Sequence, residues 1–401
     1  MRETRKLKYL CYILDEYRKP ISAEKRNQNS DMLYDYYGAS GAIDKIDGYT
    51  IDDHVMLIGE DGANLVFRNL PLMYEINGKA WINNHAHILK PREDVDFYYL
   101  FYALENADIF PFVTGSAQPK LNQENLKLIP IPITNYETQK HIASFIKSKC
   151  KRIDSLITDI QSQIEALEEY KRSVITEAVT KGLDPDVEMR DSGFEWIGFI
   201  PSTWQTRKGK YIFVQRNERG NSIELQLLSP TQKYGVIPQD LYEEISGYKA
   251  VKLDEKTDYS LLKTIHKGDY CISLRSFQGG FEYSEYEGVV SPAYQVFYPV
   301  IEVFRGYYKH LFKTQIFIDK MNSFTMSLRD GKNIAFADFG NTYLPIPPIQ
   351  EQQQIADYLD SKCAEIDSII AEKKQQIETI EEYKKSLIFE YVTGKKEVVN
   401  D

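Results

Sequence analysis

"SKCKRIDSLITDIQSQIEALEEYK" (Ser148–Lys171) returns much later as "SKCAEIDSIIAEKKQQIETIEEYK" (Ser361–Lys384). The match extends over Gln139–Gly182 and Gln352–Lys395, with half of the positions identical and Cys150 opposite Cys363. Each copy follows a proline-rich exit, "IPIP" at Ile129–Pro132 and "LPIP" at Leu344–Pro347, where the chain must be extended. Each then runs without Gly or Pro to a terminal glycine, which predicts one long helix per copy. A seam with 4-3 spacing passes through Ile146, Cys150, Ile153, Ile157, Ile160, Ile164 and Leu167. Its counterpart is Leu359, Cys363, Ile366, Ile370, Lys373, Ile377 and Ile380, with Lys171 and Lys384 continuing the two lines. This 3.5-residue period is that of a coiled coil. About 40 residues at 1.5 Å rise make a rod on the order of 60 Å.

A lone rod cannot leave that stripe in water, and the simplest cover is the other copy. Antiparallel pairing, with one globular block at each end and Cys150 and Cys363 apart, is the expected arrangement. The fold class is therefore α+β: two pseudo-symmetric α/β domains separated by two long antiparallel helices. The boundaries are a first domain over 1–135, a helical region over 136–183, a linker over 184–204, a second domain over 205–345 and a second helical region over 346–401. Within the domains, "HVMLIGEDG", "ANLVFRN", "DYCISLRS" and "AYQVFYPV" read as strands, and "DFYYLFYALENADIF" and "GYYKHLFKTQIFIDKM" as amphipathic helices. The turn-rich "LDPDVEMRDSGFEWIGFIPSTW" reads as a docked linker into the second half.

The chain has 401 residues and a net charge of −10, an unusual balance for a nucleic-acid binder. Much of the acid sits on the helices: 346–401 carries 7 basic against 12 acidic residues, while 194–345 is balanced at 18 against 17. No apolar run nears the ~20 residues of a membrane span, and the basic N-terminus lacks a signal h-region and cleavage site. A cytoplasmic protein with free buried thiols is expected. Phosphate-binding, dinucleotide and metalloprotease motifs are absent, as is the tetrapeptide of an amino-methyltransferase. The ExK string at Glu168–Lys171 lies on the coiled coil and reads as solvated surface. His85 and His87 share a strand face, but no third metal ligand is evident, so a hydrogen-bonding role is expected.

What the blocks do carry is loops rich in Gly, Ser, Tyr, Asn, Gln and Arg, including "YYGASGAID", "GEDGANLVFRN", "WINNHAH", "TGSAQPKLN", "SPTQKYG", "LRSFQGGFEYSEYEGVVSPAY" and "SLRDGKN". Such side chains suit base edges and phosphates, although ordinary surface loops share this composition.

The linker "MRDSGFEWIGFIPSTW", the exits "IPIPITNYETQKHIASFIKSKCKRIDSLI" and "LPIPPIQEQQQIADYLDSKCAEIDSII", and the loops "YYGASG", "IGEDGANL" and "TGSAQPKLN" resemble the specificity subunit of Type I restriction–modification systems. The resemblance spans essentially the whole chain; the first exit departs where "ITNYETQKHIA" stands for "PPIQEQQQIA". It implies a non-catalytic subunit whose two target recognition domains read an asymmetric bipartite DNA site, with the helices setting the gap. It further implies double-stranded DNA, two modification subunits and two restriction subunits as partners, with S-adenosylmethionine, ATP and Mg2+ held by those partners and no cofactor in this chain. The DNA-binding candidates are Tyr37, Ser40, Asn64, Arg68, Asn84, His85, Ser116, Gln118 and Lys120 in the first domain. In the second they are Gln232, Lys233, Tyr234, Arg275, Ser276, Gln278, Tyr283, Arg329 and Lys332, with Arg275 and Arg329 the best guanine readers. A methyltransferase in its own right and a coiled-coil scaffold binding protein or glycan are the competing readings.

Overall fold

In the computed structural model, which describes residues 2–22, 24, 33–220, 225–249, 259–272, 280–324 and 334–398, both repeats are single helices, Tyr136–Lys181 and Ile349–Thr393. The chain divides into two compact units, Met1–Gln161 with Lys373–Asp401, and Ser162–Glu372. Each unit thus holds one globular block, the start or end of the first helix, and the opposite portion of the second.

The helices pair antiparallel within each unit. In the first, Ile142, Ile146 and Cys150 share a buried core with Leu387, Ile388 and Val392, and Phe145 packs on Tyr391 with ring centroids 4.6 Å apart. In the second, Ala178 and Val179 share a core with Ile355 and Leu359. Lys384 reaches Asp154 at 2.5 Å in the first unit, and Lys171 reaches Asp367 at 2.6 Å in the second. These are the same pair made twice, since Lys171 matches Lys384 and Asp154 matches Asp367. Exposed pairs of this kind contribute about 0–1 kcal/mol, so the apolar seam holds the helices. Ile160, Ile164, Ile366 and Ile370 are buried, while Ile153, Ile157, Leu167, Ile377 and Ile380 are half-buried, as a two-stranded seam requires.

Each block is fastened to its helix by the same device. Gln139 and Gln352 are repeat equivalents and both are 1% exposed. Gln139 accepts from Asp96 N at 2.9 Å and donates to Thr134 O at 2.7 Å. Gln352 accepts from Phe304 N at 2.9 Å and donates to Pro347 O at 2.8 Å. A buried tyrosine completes each joint. The Tyr99 hydroxyl lies 3.1 Å from Val392 O and the Tyr307 hydroxyl 2.7 Å from Val179 O, and Val179 and Val392 are again equivalents.

The first block is built on a six-stranded sheet in the order Cys11–Ile13, Ala86–Pro91, Ile51–Gly59, Met73–Ile82, Tyr34–Gly38, Gly41–Ile46. All its pairs are antiparallel except Tyr34–Gly38 with Met73–Ile82. Met56 and Ile58 face the core shared with the helix Phe97–Glu105, and Val55 and Leu57 face a second core with Ile76 and Ile88. A strand buried on both faces reads as an unbroken apolar run, which is how "VMLI" stands in the sequence. The second block centres on an antiparallel sheet ordered Phe213–Gln215, Gln295–Pro299, Tyr270–Ile272, Phe281–Tyr283, packed by Phe213, Phe297, Phe312 and Phe339.

Two local readings change, and the linker gains detail. "ANLVFRN" is a helical turn, Asn64–Phe67, because Arg68 takes a left-handed conformation (φ 53°) that ends it. "GYYKHLFKTQIFIDKM" breaks into Arg305–Leu311 and Gln315–Asn322, since Thr314 caps a new helix at Phe317 N. The linker contains a hairpin, Met189–Asp191 against Phe199–Pro201. It docks through Trp204, whose indole N–H donates to Glu351 at 2.9 Å.

Replacing Gln352 by Ala strands Phe304 N–H and Pro347 C=O without partners. It is expected to cost the second unit about 1–3 kcal/mol, read as a lower denaturant midpoint for that unit with the first unchanged. An unshifted midpoint contradicts the clasp.

Candidate nucleic-acid interface

In the first unit the central strands Ile51–Gly59 and Ala86–Pro91 end together at Gly59 and Ala86, and the loops picked out in the sequence meet there. Gly59 admits the backbone of the turn at Ala39 and Ser40; a Cβ at Gly59 would lie 2.6 Å from Ala39 O. Asn83 N donates to Tyr37 O at 3.1 Å, Glu60 N to His85 O at 2.8 Å, Gly62 N to Pro119 O at 3.0 Å and Leu121 N to Glu60 O at 2.7 Å. Thr114 and Lys120 exchange backbone hydrogen bonds that close the fourth loop. Ser40, Asn84, His85, Ser116, Gln118 and Lys120 are exposed on this edge. Tyr37 is half-buried, and burial with the nearby Asp35 charge pushes its phenol up.

Beneath the loops lies a polar latch. His87 is 1% exposed, with Nδ1 2.7 Å from Asp15 Oδ2 and Nε2 2.8 Å from Leu121 O. Each ring nitrogen thus has an oxygen partner. Asp15 also accepts from Ile88 N and Gln123 Nε2, each at 3.1 Å. The Arg18 guanidinium joins Asp15, Glu60 and the Asn84 carbonyl, and Lys120 closes on Glu60 at 3.1 Å. Burial works to raise the Asp15 carboxyl, but the hydrogen bond and charge of His87, Ile88 N–H and Arg18 outweigh it and hold it below its ordinary value. Glu60 is lowered likewise, burial being outweighed by Arg18 and Lys120.

Asn64 and Arg68 have partners within the domain. Asn64 accepts from Leu70 N and donates to the carbonyls of Leu70 and Pro71. Arg68 donates to Glu105 O at 2.7 Å and Ala107 O at 2.5 Å, at the end of the helix Phe97–Glu105. The histidine pair divides: His87 belongs to the latch, and exposed His85 contacts Asp61 at 2.7 Å. Among the described residues no group of three or more metal-ligating side chains occurs.

In the second unit Arg275, Ser276, Gln278, Arg329 and Lys332 lie outside the described residues. Gln232, Lys233, Tyr234 and Tyr283 come together on a cleft of about 640 Å³, lined also by Lys309, His310 and Lys313. Lys233 Nζ lies 5.0 Å over the Tyr234 ring. Lys313 pairs with buried Glu282 at 2.6 Å; burial drives that carboxyl up against the opposing pull of Lys313. His310 bonds Asp360 at 2.9 Å and, with Lys309, holds it below its ordinary value.

Each unit thus sets its own loop platform on its portion of the duplicated helices. The family model for the Type I restriction modification DNA specificity domain matches residues 2–166 and 200–379, and the chain belongs to that family. It is 26% identical over 334 residues to the putative type I restriction enzyme MjaX specificity subunit of Methanocaldococcus jannaschii, covering 77% of this chain and 70% of that one. It is 31% identical over 144 residues to the putative type I restriction enzyme specificity subunit S.HindORF215P of Haemophilus influenzae, spanning 36% of each. A solved chain from work on complex assembly and conformational transition of the type I R-M system shares the fold, with a TM-score of 0.67 over 98% of both chains at 12% identity. Among the described residues no helix is long and apolar enough to cross a membrane.

Asp15 and Glu60 titrate below their unfolded values, near 3.8 and 4.5. Their stabilisation is therefore full above those values and is lost as pH falls through the lower folded ones. Asp15→Asn should cost the first unit about 1–3 kcal/mol at neutral pH and flatten its acid dependence. Melting curves from pH 6 to 3, on both proteins, check this; equal acid sensitivity in the two contradicts the latch.

Proposed function

We propose that this chain is the DNA-selecting subunit of a type I restriction–modification complex and is not itself catalytic. The observation that carries the reading is a duplicated frame bearing unduplicated loops. The helices, the glutamine clasps and the tyrosine joints occur twice, whereas the loop platforms differ in sequence and build. Each unit would read one half of an asymmetric bipartite site, through Ser40, Asn84, His85, Ser116, Gln118 and Lys120 on one side and Gln232, Lys233, Tyr234 and Tyr283 on the other. The paired helices would fix the number of unread base pairs between the halves. Recognition domains on one face of a duplex sit about one turn, ~34 Å, apart, a span within the reach of a 46-residue helix.

The chemistry belongs to partners. Two modification subunits would bring S-adenosylmethionine and methylate adenine N6 in each half-site, taking the base out of the stack to reach it. Restriction subunits would bring ATP and Mg2+.

Co-expression with a modification subunit of the same system, in a methylation-free host, tests this through a genome-wide map of N6-methyladenine. One asymmetric bipartite motif with a fixed gap is expected. A continuous or palindromic motif, or none despite a purified complex, contradicts the reading.

A further inference from the structure

The two blocks share one more element, outside those loops. "TRKLKYL" (Thr4–Leu10) opens the first and "TRKGKYI" (Thr206–Ile212) the second. In both, a short strand pairs with the proline exit, Arg5 opposite Ile131 and Arg207 opposite Leu344. A single 3-10 turn follows, Leu7–Tyr9 or Gly209–Tyr211. The backbone entering the turn is nearly the same, φ −67° and ψ 141° at Lys6 against φ −62° and ψ 139° at Lys208. The turn is anchored by one buried residue, Leu7 or Gly209; a Cβ at Gly209 would lie 2.7 Å from Phe339 O, so the close approach needs glycine.

What the turns present is also the same. Arg5, Lys6 and Lys8 are exposed in the first, and Arg207 and Lys210 in the second, with Lys208 half-buried. Lys8 Nζ stands 4.9 Å over the Tyr9 ring and Lys210 Nζ 5.4 Å over Tyr211, and these rings are 60% and 57% exposed. Among the described residues none of the six cations forms an ion pair with a carboxylate, whereas Arg18, Lys171, Arg216, Lys313 and Lys384 all do. In a chain of net charge −10, the same exposed cluster of cations over a tyrosine therefore occurs once in each unit, open to an anionic partner.

We propose that these twin turns grip the DNA phosphate backbone, one in each unit, without reading bases. The inference rests on the DNA-selecting function proposed above. Elements that differ between the units suit what differs between half-sites, while an element kept the same suits what every half-site shares, its backbone. The residue types agree: Lys, Arg and Tyr supply phosphate contacts. A tyrosine beneath each lysine holds the ammonium outward and adds a hydroxyl donor. The clusters also attract a polyanion to an otherwise acidic chain.

The test uses the full chain in complex with its modification subunit. K6Q, K8Q, K208Q and K210Q are combined, and binding to a non-specific duplex is followed by fluorescence anisotropy across a salt series. The slope of log K against log salt should fall by about 0.9 for each phosphate that the protein no longer neutralises, with affinity down on the order of ten-fold near 0.1 M salt. The methylated motif and the co-purified subunit should be unchanged. An unaltered slope and affinity overturn the inference, as does loss of the modification subunit with DNA binding intact, which would make the turns a protein-docking surface. A changed motif would place them among the base readers and also overturn it. A wild-type complex that binds no DNA defeats the proposed function instead, so the two failures are distinct.

Discussion

Neither globular block can close its core without the repeat that belongs to the other half of the sequence. The first core is completed by Leu387, Ile388 and Val392 and the second by Ala178 and Val179. Antiparallel pairing of the two helices makes this exchange possible, because it returns the end of each helix to the block where the other begins. The buried amides of Gln139 and Gln352 then fix each block against its helix, with two backbone groups satisfied per clasp. Burying an amide is favourable only when such partners are met, so each clasp specifies one seating of block on helix.

On that frame the loops have freedom to differ. The first unit holds its platform by a latch of Asp15, Arg18, Glu60, His87 and Lys120, which satisfies buried charge from several directions at once. The second unit uses other pairs, Lys313 with Glu282 and Arg216 with Asp269. A shared frame with private platforms allows one half of the molecule to change its surface while the other is untouched.

The sequence was legible where the physics is periodic or repeated. The seven-residue spacing through Ile153 and Ile366 foretold both helices and their pairing, and the glycine-rich loops around Tyr37, His85 and Gln118 do converge on one edge of the first unit. Reading failed where a single residue decides against its neighbours. Arg68 in a left-handed turn ended a stretch of strand formers, and Thr314 cut one amphipathic helix into two. The latch left no local signal, since Asp15 and His87 meet only because distant strands are adjacent, and the composition that marked Arg68 as a candidate reader gave no sign of its bonds to Glu105 and Ala107 carbonyls. The match of "TRKLKYL" to "TRKGKYI" was present all along, but it is too short to stand out until both copies are seen in the same turn.

We propose that the paired helices hold two independent readers at a set separation. It is tested most directly by inserting one heptad after Gln161 and another after Glu372, so that both helices lengthen together and the seam keeps its register. Seven residues add about 10 Å, close to three base pairs of duplex. The prediction is a methylated motif with both half-sites unchanged and the gap longer by about three base pairs. A gap that stays the same in a folded, active complex would contradict it.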